Sequence, residues 1–360
     1  MSSLKDRLNY ILEHFNVEGT VVSYLKLTSG HINDTYKITT EKASYILQKI
    51  NGFVFKDGAE LINNKAKISK FLLEQEQNNT SNTLSFVQTK KGENYYKDDK
   101  EDFWNLSHYI EGSKTYTKTP NERVASEAGR ITGSFLYDTR NFDSKKLTPI
   151  FSNFHTMSFR VKNFEKALQN ANADRLEQAQ NTIAFYESTK QMMYSLEKAI
   201  EQKDLALRVT HSDTKMSNIL FAEDDEGICM IDTDTVMEGI LHYDYGDAIR
   251  TICNNANEDE KDLNKVSFNL SFFKAYTQGF FQGLRGSMTS KEAQYLSGSI
   301  FEMIFIMGLR FLTDYLCGDV YYKVTHKTHN LERAENQMKL FVDAQKKSAE
   351  IDGFIQDLRA

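Results

Sequence analysis

The spacing of apolar residues changes character near Gly112, and that switch limits the folds open to this chain. Leu4, Leu8, Ile11, Leu12 and Phe15 share one helical face, predicting an opening helix over 4–15. The stretches 20–27, 34–40 and 44–50 are β-branched and aromatic and read as strands. A helix follows over 58–74, anchored by Leu61, Ile62, Ala66, Ile68 and Leu72, and then come strands at 83–89, 93–97 and 102–110. Beyond Gly112 the period is helical: Val124, Ala128, Ile131 and Phe135 form one stripe, and long helical patterns cover 266–283, 290–316 and 330–357. A single hairpin, 218–232, interrupts that half, turning at Glu223-Asp224-Asp225-Glu226-Gly227. The order predicts an α+β fold of two lobes. A small β-sheet lobe with one helix spans 1–110, and a larger, mainly helical lobe spans 111–360, joined at 107–112.

The hairpin carries the chemistry. Val209-Thr210-His211-Ser212-Asp213 leads through Asn218 into one strand, and the other strand runs out through Ile231-Asp232-Thr233-Asp234. Strand pairing brings Asn218 and Asp232 to the same end. A carboxylate with an amide five residues on and a second carboxylate across a hairpin is what phosphoryl transfer needs: Asp213 to orient a hydroxyl, Asn218 and Asp232 to hold magnesium on ATP. His211 reads as structural, holding the loop by hydrogen bonds. Asp234 reads either as a group on magnesium or just behind its ligands, or as a turn cap, and Thr235 as facing an acceptor or capping the same turn. Asp244 is expected to brace the catalytic loop through backbone N–H groups, and Asp247 to cap the helix running through Arg250.

Between the first two strands, Ser29-Gly30-His31-Ile32-Asn33 is a glycine-containing loop whose backbone could approach phosphates. On the third strand Lys49 is the candidate for the α- and β-phosphates. Neighbouring strand residues face opposite ways, so a shifted register would put Gln48 in the cleft instead. Glu60 could pair with Lys49. The connector backbone near Tyr109 and Ile110 is where adenine would bind.

The net charge of −6 argues against a general nucleic-acid binder. Cys229, Cys253 and Cys317 are far apart with no paired spacing, which suggests neither zinc nor disulfides and points to a reducing cytoplasm. The N-terminus lacks a signal-peptide apolar core, and the strongest apolar run, 303–309, is too short to span a bilayer. No membrane and no obligate protein partner are expected.

With this loop, hairpin and lobe order, the chain resembles the aminoglycoside phosphotransferase/choline kinase superfamily, protein-kinase-like enzymes that phosphorylate small molecules. The protein-kinase signatures GxGxxGxV, VAIK, DFG and APE are absent, and Ile231-Asp232-Thr233-Asp234 stands where DFG would be. Within the superfamily, the segments Gly30–Tyr36, Tyr45–Gln48, His211–Lys215, Ile231–Met237, Tyr243–Arg250, Arg310–Leu316 and Gly318–Tyr321 look like those of the N-acetylhexosamine 1-kinases. That resemblance implies ATP- and magnesium-dependent phosphorylation of the anomeric hydroxyl of an amino sugar. It implies Asp213 as base, Asn218 and Asp232 on magnesium, Thr235, Arg310 and Tyr321 around the sugar, and His31 and Asp34 near the phosphates or sugar. Ser212 departs from the Asn or Gly expected there, and Lys49 from the Arg expected after Gln48. Read without the resemblance, Arg310 could instead form an ion pair with Asp314 one turn on, and His326 with His329 marks a helix start or a pocket rim. Two other readings keep their place: a kinase of another sugar, an amino alcohol or an antibiotic, and a nucleotide-binding pseudokinase.

Overall fold

The computed structural model describes residues 4–27, 32–75 and 83–359. The first part runs α1 (Leu4–Leu12), β1 (Val21–Leu27), β2 (Asp34–Thr40), β3 (Ser44–Lys49), α2 (Gly58–Gln75), β4 (Phe86–Val87), β5 (Tyr96–Lys97) and β6 (Phe103–His108). These strands make an antiparallel sheet ordered β1-β2-β3-β6-β4, with β5 also on β6. Period-2 alternation sets its faces. Tyr36, Ile38, Tyr45, Leu47, Trp104 and Leu106 bury one face under Leu8, Ile11, Leu12 and Phe15 at α1. The other face carries Ile46, Gln48, Asn105 and Ser107.

The chain leaves this sheet at His108, and β7 (Ser113–Lys114) pairs instead with β9 of the second lobe. There follow α3 (Glu122–Asp138), α4 (Met157–Asn170), α5 (Ala173–Gln178), α6 (Gln180–Thr189), α7 (Ser195–Glu201), β8 (Arg208–Thr210), β9 (Ile219–Ala222), β10 (Gly227–Met230) and β11 (Met237–Gly239). Last come α8 (Leu241–Ile252), α9 (Leu270–Leu284), α10 (Ser290–Leu316), α11 (His329–Gln345) and α12 (Ser348–Asp357).

Helices α3 and α9 press backbone to backbone. A Cβ on Gly129 would lie 2.0 Å from the Tyr276 carbonyl oxygen, and one on Gly279 would lie 1.9 Å from that of Ser126, so only glycine permits the contact. This matters for the hairpin, because α3 carries its tip: Glu127 accepts the Gly227 N–H at 2.8 Å and Arg130 donates to the Gly227 carbonyl at 2.8 Å.

Three expectations need correction. The hairpin is not alone in the second half, since β8 pairs with β11 and β7 extends the hairpin sheet; these strands are too short to show a period. The helix expected over 330–357 is two, broken between Gln345 and Ser348. The apolar run 303–309 belongs to a 27-residue helix that is long and apolar enough, by length and composition, to cross a membrane. Its apolarity has a nearer cause: residues 302–309 are buried among α4, α8 and α11.

Candidate active site

The loop after β8 is held by two carboxylates of α8. Asp244 accepts the backbone N–H groups of His211 and Ser212 at 2.8 and 2.7 Å, its own carbonyl accepts Thr214 Oγ1 at 2.6 Å, and Asp247 accepts the Thr214 N–H at 3.1 Å. The brace expected of Asp244 is therefore there. Burial first, against those N–H bonds, pushes its carboxyl up to about 7. Asp247 does not cap α8; it lies inside the helix, between Thr214 and the Arg250 guanidinium. His211 is buried, its ring nitrogen Nε2 is 2.9 Å from the Ile231 carbonyl, and burial lowers its pKa, so it ties the loop to the hairpin as a neutral ring.

That bracing bends the backbone. Ser212 has φ +64°, the left-handed region that Gly, Asn and Asp tolerate best, which explains why Gly or Asn suits this position. The bend presents Asp213, half-buried, to Lys215 Nζ at 2.8 Å and to Asn218 Nδ2 at 2.9 Å. Burial is the largest single influence and opposes its ionisation, but the charge and hydrogen bond of Lys215, with His211 and the Asn218 amide, together hold the Asp213 carboxyl below its ordinary range. Asn218 also donates to the Asp213 backbone carbonyl at 2.9 Å, so both of its recorded bonds use the amide nitrogen and leave Oδ1 as an acceptor.

The hairpin closes as expected: the Ile231 N–H bonds the Asn218 carbonyl at 2.8 Å, bringing Asn218 and Asp232 to one end. Asp232 is itself left-handed, at φ +59°, a conformation that aspartate tolerates better than most side chains. Burial, and then the neighbouring charge of Asp234, push its carboxyl up to about 7. A carboxylate crowded by other carboxylates is a cation-seeking group, and with the Asn218 carbonyl it offers the hard oxygen donors that magnesium takes. Among the described residues no group of three or more His, Cys, Asp or Glu could hold a metal alone. That fits magnesium, which is usually held by one or two carboxylates together with substrate phosphates.

The cleft between the lobes is closed by a buried lysine that sequence reasoning missed. Lys65 of α2 pairs with Asp234 and donates to Gln48 Oε1 at 2.8 Å, while Asn33 Nδ2 donates to the other Asp234 oxygen. Asp234 is thus tied to the first lobe by two side chains, and its paired oxygens account for the turn better than capping does.

Other expected residues lie elsewhere. Lys49 does not reach this group. It shares the parity of Tyr45 and Leu47, and its Nζ lies 3.6 Å from both Asp34 and Asp102. Asp34 is its register partner and is held by Lys26 at 2.9 Å, so it too turns away from the cleft. Glu60 accepts the Thr148 hydroxyl instead of meeting Lys49. Thr235 is brought to the catalytic loop, but its hydroxyl is spent on the His211 carbonyl at 2.7 Å, and it is a buried tie. At the connector, the Tyr109 N–H bonds the Ser44 carbonyl and the Ile110 carbonyl accepts Ser113 Oγ. Gly30 and His31 fall outside the described residues.

Arg310 has no ion pair with Asp314. The Asp314 carboxylate is consumed by the N–H groups of Val320, Tyr321 and Tyr322 at 3.0, 2.8 and 2.9 Å, after a turn with φ +92° at Gly318 and +61° at Asp319. This folds Tyr321 and Tyr322 back over α10. The Arg310 guanidinium lies 4.7 Å from the Phe154 ring centre, 5.8 Å from Tyr321 and 5.7 Å from Tyr322. Among the described residues no carboxylate forms a salt bridge with it. His155, beside Phe154, reaches the Ser212 carbonyl at 3.3 Å and so links this aromatic cluster to the catalytic loop. Burial first, then the charges of Arg310 and Arg160, drive the His155 pKa well down. Arg160 is also depressed, to about 9, by burial and by Arg310, and it donates to the Phe154 carbonyl. The segment 154–160 carries no motif that could have marked it. His326 and His329 stack 4.9 Å apart and pair with Glu332 and Asp259, making a helix-start cluster.

A small antiparallel sheet lobe and a larger helical lobe make a kinase-like fold, with Asp213, Asn218 and Asp232 gathered at the open end of the hairpin. The chain belongs to the phosphotransferase enzyme family typified by the aminoglycoside phosphotransferases, whose pattern it matches over residues 23–280. Its fold is similar to that of a microcompartment-associated aminopropanol kinase, at 13% identity and TM-score 0.66, over 97% of this chain and 98% of that one. It is also similar to a spectinomycin phosphotransferase solved with ADP and spectinomycin, at 12% identity and TM-score 0.64, over 97% and 99%. A choline kinase from Cryptosporidium parvum matches at 14% identity and TM-score 0.60, over 98% of each chain. The chain is a small-molecule phosphotransferase of this family.

Proposed function

We propose that the protein transfers the γ-phosphoryl group of ATP to the anomeric hydroxyl of an N-acetylhexosamine. Asp213 orients the sugar hydroxyl and takes its proton, and Lys215 keeps that carboxylate ionised until the sugar arrives. Asn218 Oδ1 and Asp232 hold magnesium, which when bound offsets charge on the β- and γ-phosphates. The adenine lies along the connector, where among the described residues the Tyr109 carbonyl and the Ile110 N–H take no hydrogen-bond partner while Ser44 and Ser113 hold the groups beside them. Gly30 and His31, outside the described residues, are proposed with Asn33 as phosphate-contacting residues on the strength of the sequence alone. Arg310 and Tyr321 receive the sugar, and Thr235 acts from behind, by fixing the His211 carbonyl.

The observation that carries the acceptor class is Arg310, caged by aromatic rings and, among the described residues, in no salt bridge with a carboxylate. A guanidinium so placed supplies donors for hydroxyl and acetamide oxygens. It also occupies the ring faces that a quaternary ammonium would need. An amino alcohol or a polycationic antibiotic would meet like charge from Arg310 and Arg160. The test is ATP consumption measured with N-acetylglucosamine, N-acetylgalactosamine, glucosamine, choline and an aminoglycoside. Turnover is expected on the acetylated sugars; preference for choline or the aminoglycoside overturns the reading, and binding of ATP without turnover on any acceptor favours a pseudokinase.

A further inference from the structure

Strand β3 sends no cation into the cleft, because its inward residue is Gln48 and Lys49 pairs with Asp34 and Asp102 on the opposite face. The cation comes from helix α2. Lys65 is 4% exposed, and its amine meets Gln48 from the sheet and Asp234 from the second lobe. Asn33 holds the other oxygen of Asp234, which fixes that carboxylate and therefore the amine. The charge of Lys65 also reaches Asp232. A buried ammonium is poorly suited to mere stability, since packed apolar groups in its place do as well or better. An ammonium has three donors, and Gln48 and Asp234 use two.

We propose that Lys65 is the phosphate-binding cation of the nucleotide site, delivered by helix α2 instead of strand β3, with Gln48, Asp234 and Asn33 aiming its third donor at a phosphate oxygen beside Asp232. This rests on reading the cleft as a nucleotide site, but not on the identity of the acceptor.

Calorimetric titration of adenosine, ADP and ATP into the full chain, with magnesium and without acceptor, tests it. Lys65→Met is expected to weaken ADP and ATP by roughly 10- to 100-fold, the scale of a lost charge-assisted hydrogen bond, while adenosine binding stays as in the wild type. The exchanged pair Gln48→Lys/Lys65→Gln returns the lysine to the strand and should recover a preference for ATP over adenosine. It also decides the matter if Lys65→Met does not fold. If ATP and adenosine weaken together, or the ratio of their affinities is unchanged in Lys65→Met, Lys65 only ties the lobes and the inference fails while the nucleotide reading stands. If the wild type binds no nucleotide, both fail.

Discussion

The loop carrying Asp213 and the cluster around Arg310 are one imidazole apart, yet they are built by different physics. The loop is fixed by hydrogen bonds from its own backbone to two carboxylates of one helix, Asp244 and Asp247. The cluster is assembled from residues 154–160, 310 and 321–322, and rests on ring faces around a guanidinium and one carboxylate that gathers three N–H groups. Backbone bonds fix position to fractions of an ångström and suit a reacting group. Ring faces tolerate sliding and suit recognition. On the proposed reading, the first region sets the reaction and the second sets the acceptor.

Changes in the first region should be the more severe. Asp213→Asn should cut turnover by about 10²–10⁴-fold, with nucleotide affinity by calorimetry little altered; wild-type turnover would remove Asp213 from the chemistry. Asp244→Ala leaves two buried N–H groups without an acceptor and should cost roughly 2–5 kcal/mol of stability in urea unfolding. In the second region, Arg310→Met should raise the KM for sugar about 10- to 100-fold through lost charged hydrogen bonds, leaving the KM for ATP unchanged. An equal rise in both would join the two regions functionally.

The same helix offers a contrast in charge. Glu302, 2% exposed, accepts the Leu196 N–H at 3.0 Å and the Ser195 hydroxyl, and burial pushes its carboxyl up to about 7 from an ordinary 4.5. A raised carboxylate pKa means that the folded state holds its proton longer than the unfolded state does. This group therefore costs nothing below about pH 4.5 and costs increasingly as pH rises to 7. The advantage of Glu302→Gln over the wild type should grow from near zero at pH 4.5 to roughly 3 kcal/mol above pH 7, read from paired unfolding curves. The smallest effect is expected at the bend: Ser212→Gly relieves the positive φ and should stabilise by a few tenths to about 1 kcal/mol.

The regions also differ in how far the sequence exposes them. The bounds of strands β2 and β3, helix α2 and the long α10 were readable within a residue or two. The Asp213–Asn218–Asp232 group was readable because a hairpin converts sequence spacing into spatial proximity. The orientation of Lys49 was not: β3 has apolar residues on both faces, Ile46 as well as Tyr45 and Leu47, so alternation does not say which face is the core. Lys65 was hidden because nothing in the polar run Asn63-Asn64-Lys65 marks one of its members as buried, and its partner Asp234 lies 169 residues away. His155 and Arg160 were hidden for the same reason. Their partners, the Ser212 and Phe154 carbonyls and the Arg310 charge, are set by tertiary packing alone.

The most direct test of a catalytic loop serving an amino-sugar acceptor is phosphorus NMR of the product formed from ATP, magnesium and N-acetylglucosamine or N-acetylgalactosamine. A phosphate ester coupled to the anomeric proton is expected. A phosphate at C6, or consumption of ATP with no sugar ester, would contradict it.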